Sequence, residues 1–167
     1  MAVIIRKWTE EDIPSLVKYA NNINVWNNLR NAFPHPYTEE HAQSWIKSAL
    51  IEEPTINFAI DFDGEAIGGI GLIFNKDVYV LSAEIGYWIA EPFWGKGIAT
   101  EAIRQMMEYS FYYFDIVRIY AEVFENNKSS MRALEKNGFY LEGVRRKSVF
   151  KNEVLMDDYI WVRLRPY

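Results

Sequence analysis

The pattern of hydrophobic and polar positions switches between strand-like and helix-like segments along the whole chain. Apolar residues occur at alternate positions or in short runs, as is typical of strands, in residues 3–8, 55–62, 65–74, 82–90, 117–123, 139–150 and 154–163. They recur three or four positions apart, as is typical of helices, after Thr9, after Thr38, and in residues 98–114 and 129–137. This order predicts an α/β (α+β) fold with a mixed, mostly antiparallel seven-stranded sheet and helices on both faces.

Turn and cap residues support these boundaries. Thr38 is suited to cap the second helix, and Asp63-Gly64 supplies the positive φ angles of a tight hairpin turn. Asn137-Gly138 is suited to end a helix. A long helix separates the strand that ends near residue 90 from the strand that begins near residue 117, so we expect these two strands to run parallel.

The turn between the fourth strand and the long helix is the clearest candidate site. It reads Trp94-Gly95-Lys96-Gly97. Gly95 and Gly97 have no Cβ, so successive main-chain N–H groups can converge on one point, to which the helix start adds partial positive charge. The turn therefore predicts an anion-binding site.

Two nucleotide-binding motifs are rejected. Gly68-Gly69-Ile70-Gly71 lacks the third glycine of the dinucleotide fingerprint, and Leu72 continues a strand instead of opening a helix. The Gly95-Lys96 pair is followed by glycine and not by Ser or Thr, and it lacks the glycine spacing of a P-loop.

Composition and charge bound the class of protein. The chain has 167 residues, 50% of them hydrophobic, and we expect residues 1–167 to form a single domain. No apolar run reaches the roughly 18 to 20 residues of a membrane span, and the first residues lack the apolar stretch of a signal peptide. We therefore expect a cytoplasmic protein with no membrane partner.

The same counts argue against several partners. The chain has no cysteine and only two histidines, so we expect no metal site. The formal net charge of −5 argues against a nucleic-acid partner. The sequence does not indicate the oligomeric state.

Several motifs carry a family resemblance. Trp94-Gly95-Lys96-Gly97-Ile98-Ala99 matches the pattern Arg/Gln-x-x-Gly-x-Gly/Ala except at Trp94, and Asn127-Lys128-Ser129-Ser130 precedes Gly138-Phe139 at the expected spacing. Further matching phrases are AEIGYWI, WGKGIATEA, ALEKNGF and FPHPYTEEHAQSW. Together they resemble the GNAT superfamily of acyl-CoA-dependent N-acetyltransferases, and within it the RimJ/RimL-like branch that acetylates the N-termini of ribosomal proteins.

The resemblance implies acetyl-CoA as the acyl donor. Main-chain N–H groups at the helix start would hold its pyrophosphate, from residues Gly95, Lys96, Gly97, Ile98, Ala99 and Thr100. The resemblance also implies a splay between strands 4 and 5, which leaves main-chain groups of Trp88, Ile89 and Ala90 open to the pantetheine arm and the thioester carbonyl. Asn127, with Ser130 beside it, would contact the pantetheine arm or the departing side of the cofactor.

A base is required because an amine acceptor is protonated at neutral pH. Glu122 lies five residues before Asn127, where related N-terminal acetyltransferases carry their base. Glu84 shares a strand face with Trp88 and Ala90, near the expected cleft. The alternative for each glutamate is a solvated or ion-paired strand residue.

The usual acid of the family is missing. Many members carry a tyrosine seven residues after the asparagine, and this chain has Leu134 there. Ser130 is the nearest substitute, with a role in capping the following helix as the alternative. Tyr140 and Tyr87 are further candidates, and a thiolate can also leave without a dedicated acid.

The proline-broken segment of residues 26–37 is the candidate acceptor site. Its aromatic and hydrogen-bonding residues are Trp26, Arg30, Phe33, His35 and Tyr37. The alternative for Trp26 and Phe33 is packing against the core. The basic residues 145–147 could meet an acidic ligand or the cofactor's 3′-phosphate, or form a solvated strand face.

We therefore expect an N-acetyltransferase that moves an acetyl group from acetyl-CoA to a primary amine by direct attack in a ternary complex. A protein N-terminus is the first expected acceptor. Alternative acceptors are polyamines, aminoglycosides and amino acids. The alternative from another class is a non-catalytic acyl-CoA-binding sensor, which the replacement of the usual tyrosine by Leu134 favours.

Overall fold

The computed structural model of the chain describes residues 2–167. The strands are β1 (Val3–Arg6), β2 (Asn57–Phe62), β3 (Glu65–Phe74), β4 (Ser82–Ile89), β5 (Arg118–Phe124), β6 (Tyr140–Lys151) and β7 (Val154–Leu164). The helices are α1 (Ile13–Ala20), α2 (Ile23–Trp26), α3 (Glu39–Leu50), α4 (Ile98–Tyr113) and α5 (Lys128–Lys136).

The strands form one mixed sheet in the order β1-β2-β3-β4-β5-β7-β6. The β4–β5 pair is parallel, and the β1–β2, β2–β3, β5–β7 and β6–β7 pairs are antiparallel. The parallel pairing joins Ser82 to Arg118 and continues only as far as Glu84 and Tyr120. It thus covers the beginning of both strands, as the predicted splay requires, and the predicted fold class is confirmed.

The predicted caps and turns form as expected. The Thr38 hydroxyl accepts a hydrogen bond from the N–H of His41 at 3.3 Å, and the Thr38 N–H donates to His41 Nδ1 at 3.0 Å, which starts α3. Asp63 and Gly64 have φ angles of 53° and 93° in the β2–β3 turn. Gly138, at φ 79°, follows α5 in the left-handed conformation that ends helices.

The sequence pattern did not predict the short helix α2 or the 3-10 turns at Asp77–Tyr79 and Glu91–Phe93. The cap of α2 is Asn22, whose Oδ1 accepts hydrogen bonds from the N–H groups of Asn24 at 2.8 Å and Val25 at 3.4 Å. With only four residues, the helix is too short to show a periodic apolar pattern.

The chain divides into two compact units. The first holds the residues up to Gly71 together with Tyr87–Ala102, and the second holds Leu72–Gly86 and Ile103–Tyr167. Buried residues of the first unit form a core cluster: Trp8, Leu16, Ala20, Tyr37, Ala42, Ile46, Ala59 and Ala66. The second unit has its own fully buried residues, among them Ile103, Met106, Met107, Ile119, Leu134 and Val162. In the part of the chain that the structure describes, no helix has the length and apolar character needed to cross a membrane.

Candidate functional site

The glycine turn before α4 lies in the first unit and is exposed. Gly95 and Gly97 adopt φ angles of +74° and +76°, a conformation that side-chain-bearing residues rarely adopt. At both positions a Cβ would meet no atom within 4 Å, so the glycines are needed for their backbone conformation and not for lack of space. This conformation leads the chain directly into α4 at Ile98.

The N–H groups of this turn are not used within the fold. Among residues 2–167, no group accepts a hydrogen bond from the N–H of Gly95, Lys96, Gly97, Ile98 or Ala99. Further into the helix, the N–H of Glu101 donates to the carbonyl of Gly97 at 3.2 Å. Five consecutive donors at a helix start, without competing acceptors, fit the pyrophosphate of coenzyme A.

Trp94 fixes the turn to the end of β4. Its indole Nε1 donates a hydrogen bond to the carbonyl of Ile89 at 2.7 Å, although the residue is 43% exposed. Trp94 stands where the family pattern has Arg or Gln. Trp94 therefore has a hydrogen-bond partner of its own, which the sequence did not indicate.

The open main chain at the end of β4 is smaller than predicted. The carbonyl of Ile89 is taken by Trp94, and the N–H of Ala90 donates to the carbonyl of Ile67 at 2.8 Å. Of the main-chain groups of residues 88–90 that we expected to be open, the Ile89 carbonyl and the Ala90 N–H therefore have partners within the fold. The N–H of Ala90 points towards β3, and successive N–H groups of a strand point in opposite directions. The N–H of Ile89 therefore points away from β3, which makes it the candidate hydrogen-bond donor to a ligand.

Close packing between strands accounts for the glycines of β3. A Cβ at Gly68 would lie 2.2 Å from the carbonyl oxygen of Trp88, and a Cβ at Gly69 would lie 2.9 Å from Trp88 Nε1. Gly68 and Gly69 therefore allow β4 to lie close to β3. This packing explains the glycines without a bound nucleotide.

The candidate acceptor segment forms an aromatic cluster in the first unit. Trp26 Nε1 donates to the carbonyl of Phe33 at 2.9 Å, and the ring of Trp26 lies 5.7 Å from that of His35. The Phe33 ring lies 5.3 Å from Tyr37 and 5.8 Å from Trp88, edge to face with the latter. Trp26 and Phe33 are half-buried, while Arg30 and His35 are exposed.

Tyr37 differs from the other predicted acceptor residues because it is only 5% exposed and belongs to the core cluster. Burial raises the pKa of its hydroxyl to about 12. Tyr37 therefore packs against Phe33 as part of the core, and its phenol is not a base at neutral pH.

Glu91 links this region to the segment before the glycine turn, a contact that the sequence did not reveal. Asn22 Nδ2 and Asn24 Nδ2 each donate to Glu91 Oε2 at 2.9 Å. The hydrogen bonds from Asn24 and Asn22 lower the pKa of Glu91. The partners are more than 65 positions apart, so no local pattern could have indicated them.

The two candidate bases lie in the second unit and share one face of the sheet. Glu84 on β4 is directly paired with Tyr120 on β5, and Glu122 lies two residues further along β5. Because strand residues two apart point to the same face, both carboxylates project to the same side. Both residues are half-buried.

Glu122 is ion-paired, as the alternative interpretation of this residue foresaw. Its Oε1 lies 2.6 Å from Arg145 Nη2, and the same nitrogen lies 2.6 Å from Oδ2 of Asp158. Burial works to lower the pKa of Arg145, but the hydrogen bonds and charges of Glu122 and Asp158 outweigh it and raise that pKa. Arg146 pairs with Asp157 at 3.1 Å, so two residues of the basic segment 145–147 have internal carboxylate partners.

Asn127 caps α5. Its Oδ1 accepts hydrogen bonds from the N–H of Ser130 at 3.4 Å and from the hydroxyl of Ser129 at 3.3 Å. Ser130 lies in the first turn of the helix, so the capping role considered for Ser130 belongs to Asn127. Leu134, at the position of the missing tyrosine, is fully buried and belongs to the core.

No group of three or more His, Asp or Glu side chains in residues 2–167 is arranged to hold a metal ion. The arrangement offers instead an anion cradle at residues 95–99, an aromatic cluster at residues 26–37, and a carboxylate face on β4 and β5.

Comparison with known proteins places these features in a family. The model of the acetyltransferase (GNAT) domain matches residues 2–140, well over half of the chain. The chain is 38% identical over 171 residues to the uncharacterized N-acetyltransferase YoaA of Bacillus subtilis (strain 168), covering 98% of this chain and 94% of YoaA. It is 28% identical over 152 residues to the spermidine N(1)-acetyltransferase of Escherichia coli (strain K12), covering 90% and 80% of the two chains.

Another relative is matched over a shorter segment. The probable N-acetyltransferase YjcK of Bacillus subtilis (strain 168) is 39% identical over 104 residues. These residues span 62% of this chain and 58% of YjcK, less than two thirds of that protein.

Solved structures share the fold at lower identity. RimL, a ribosomal L7/L12 α-N-protein acetyltransferase in complex with coenzyme A, superposes with a TM-score of 0.85 at 20% identity, covering 98% of this chain and 94% of RimL. RimJ of Mycobacterium smegmatis, in complex with CoA-disulfide, gives 0.84 at 22% identity, covering 97% and 81%. The domain match and the likeness to YoaA show that the chain belongs to the GNAT acetyltransferase family.

Proposed function

We propose that the chain works as a single acyltransferase domain that moves an acetyl group from acetyl-CoA to a primary amine, with a protein N-terminal amine as the preferred acceptor. The observation that carries the proposal is the run of N–H groups in residues 95–99 that have no acceptor within the described chain. A diphosphate is the ligand that such a run at a helix start suits best.

Each part of the chain has a separate task in this proposal. The bound acetyl-CoA supplies the activated acetyl group as a thioester. Residues 95–99 bind its diphosphate, and Asn127 contacts its pantetheine arm. The N–H of Ile89 donates to the carbonyl oxygen on which negative charge develops, a device that is worth about 3 to 4 kcal/mol in other enzymes.

Glu122 is the proposed base. It takes a proton from the acceptor ammonium, directly or through water, so that the neutral amine can attack. Glu84, on the same face, is the second candidate for this task. Ser130 is the candidate proton donor to the departing thiolate, although the thiolate is a good leaving group without one.

The acceptor segment favours a peptide over a polyamine. Residues 26–37 contain no Asp or Glu, whereas a polyamine carries several positive charges that carboxylates would bind. The segment offers aromatic surface and two groups that can bind carbonyl or carboxylate oxygens, and its candidate contact residues are Trp26, Arg30, Phe33 and His35. The relative named as a spermidine N(1)-acetyltransferase keeps the polyamine as the second candidate acceptor.

Thiol release from acetyl-CoA by the purified protein tests the proposal. The acceptors are short peptides with a free or a blocked N-terminal amine, spermidine, an aminoglycoside and single amino acids. We expect turnover with the free-amine peptides, none with their blocked forms, and acetylation at the N-terminal nitrogen by mass spectrometry.

Other results would point elsewhere. Turnover with spermidine alone would replace the peptide as acceptor. Tight binding of acetyl-CoA without turnover of any amine would support the non-catalytic sensor.

A further inference from the structure

A chain of three charged groups crosses the strands that carry the proposed base. Arg145 on β6 places one nitrogen, Nη2, 2.6 Å from Glu122 Oε1 on β5 and 2.6 Å from Asp158 Oδ2 on β7. The two carboxylates are unequal, because the Asp158 side chain is 6% exposed and that of Glu122 is 23% exposed. Asp158 thus anchors the arginine from the buried side.

Strand register gives this contact its geometry. Arg145 is the direct partner of Asp158 in the β6–β7 pair, and Glu122 faces Ile160 in the β5–β7 pair. Glu122 and Arg145 are therefore diagonal neighbours across β7, within reach of a long side chain. The β6 register shifts between Arg145 and Val149, so the chain is irregular immediately after the arginine.

Other ionisable groups also lie on this face. On β5, Tyr120 lies two residues before Glu122 and bonds through its hydroxyl to Asn75 at 3.2 Å, and on β4 Glu84 is the direct partner of Tyr120. Arg118, two residues before Tyr120, lies 5.0 Å from the Tyr120 ring and pairs with Glu142 of β6 at 2.5 Å. Tyr140 of β6 is the register partner of Val162, which faces Tyr120.

We propose that Arg145 is a positioning residue for acetyl transfer: held by Asp158, it fixes the Glu122 carboxylate in one orientation and keeps a positive charge beside it. This inference rests on the proposed role of Glu122 as the base.

The charge order gives the proposal two consequences of opposite sign. A nearby cation favours the ionised form of a carboxylate, so loss of the Arg145 charge moves the acid limb of kcat/KM to higher pH. Asp158 partly neutralises Arg145, so loss of the Asp158 charge leaves a less compensated cation and moves that limb to lower pH. A purely structural role for Arg145 would lower the amount of folded protein without moving the acid limb of kcat/KM in either direction.

The test measures the titration of Glu122 directly and then in catalysis. Carboxyl ¹³C NMR of the full chain follows Glu122, whose signal is assigned by its loss in Glu122→Gln. The same proteins are assayed for kcat/KM against pH with acetyl-CoA and a free-amine peptide. The variants are Arg145→Gln, Arg145→Lys and Asp158→Asn, with Arg146→Gln as the matched control because Arg146 is 79% exposed and pairs with Asp157 and with no other carboxylate of residues 2–167.

We expect Arg145→Gln to move the acid limb of kcat/KM upward by about 1 pH unit, with the ¹³C titration of the Glu122 carboxyl following it in the same direction. Activity then falls on the acid side of the profile and recovers at high pH. Arg145→Lys keeps the acid limb of kcat/KM and the ¹³C titration close to their wild-type positions. Asp158→Asn moves both to lower pH, and Arg146→Gln moves neither.

An unchanged Glu122 titration in Arg145→Gln would overturn the inference, and so would a shifted titration with an unmoved acid limb. If Asp158→Asn does not fold, the Arg145→Gln and Arg145→Lys pair still decides. A wild-type protein without acetyl transfer would instead remove the proposed function, and the ¹³C titration would still decide whether Arg145 controls Glu122.

Discussion

The indole Nε1 of Trp94 lies 2.7 Å from the carbonyl oxygen of Ile89 and joins the glycine turn to the end of the fourth strand. The bond spans only five residues, yet it connects the proposed pyrophosphate cradle to the proposed donor at Ile89. Trp94 therefore positions main-chain groups in place of the polar side chain that the family pattern has at this site.

Trp94→Phe keeps the ring and removes the donor. We expect the free energy of unfolding to fall by about 1 kcal/mol, the usual worth of one hydrogen bond. We also expect the Kd for coenzyme A to rise about five- to tenfold, because the turn loses its attachment to β4. Calorimetry of binding and denaturant unfolding measure the two effects.

Trp45→Phe is the control for this substitution. Trp45 lies on α3 and is 37% exposed, and its indole has no hydrogen-bond partner in the described chain. Equal losses of coenzyme A affinity in the two variants would contradict the role assigned to Trp94.

Gly97→Ala tests the backbone conformation of the cradle. Alanine is strained at a φ of +76°, so we expect a loss of about 1 to 2 kcal/mol in unfolding free energy and at least a tenfold loss of coenzyme A affinity. Gly64→Ala is a matched control, since Gly64 has a φ of +93° and equally open surroundings in the β2–β3 turn. We expect a similar loss of stability there and unchanged affinity. Equal affinities in the two variants would argue against the cradle.

Arg165 closes the carboxyl end of α4, the helix whose start forms the cradle. Its guanidinium donates to the carbonyls of Ile116 at 2.9 Å, Phe111 at 2.8 Å and Phe114, and it lies 5.1 Å from the Phe111 ring. We expect Arg165→Ala to lower the free energy of unfolding by about 2 to 3 kcal/mol, because hydrogen bonds to charged groups are strong and three carbonyls lose their donor.

Chemical denaturation measures this loss, with Arg132→Ala as the control. Arg132 is exposed on α5 and has no partner within residues 2–167. A loss at Arg165 no greater than that at Arg132 would show that the cap contributes nothing.

Asp12 makes the free energy of unfolding depend on pH. It lies 2.8 Å from Arg6, which also contacts Asp61 at 2.7 Å. Burial alone would raise the pKa of Asp12, but the hydrogen bonds from Arg6 and Thr9 and the charge of Arg6 lower it overall. A lowered folded-state pKa stabilises the fold above the unfolded value of about 3.9, and this contribution disappears as the pH falls through the lower folded value.

The variant for this prediction is Asp12→Asn. We expect its deficit in unfolding free energy to be constant between pH 7 and about pH 5, and to shrink as the pH falls below about 4. Asp115→Asn, at an exposed position without a partner in the described part of the chain, should show no deficit at any pH. A deficit at Asp12 that is independent of pH would show that its ionisation does not stabilise the fold.

Local signals in the sequence predicted most of the fold. Thr38 caps α3 and Asp63-Gly64 turns β2 into β3 because short-range hydrogen bonds and φ preferences act within a few residues. The four-residue helix α2 was missed because its cap, Asn22, is followed by too few residues to show a period.

The candidate site was predicted less completely, because its side chains meet partners that are distant in sequence. The glycine cradle is local and was predicted. Glu122 was predicted as a candidate base, but its partner Arg145 lies on another strand and depends on the β5–β7–β6 register. The Asn22–Glu91 contact likewise depends on folding that no motif records.

The most direct test of diphosphate binding at residues 95–99 is ¹H–¹⁵N NMR of the backbone amides. The protein is titrated with coenzyme A and, separately, with pantetheine, which has no diphosphate. We predict that the amides of residues 95–99 shift downfield with coenzyme A and stay unchanged with pantetheine, because their N–H groups bind the diphosphate. If coenzyme A binds and shifts other amides while those of residues 95–99 do not move, the cradle is not the binding site.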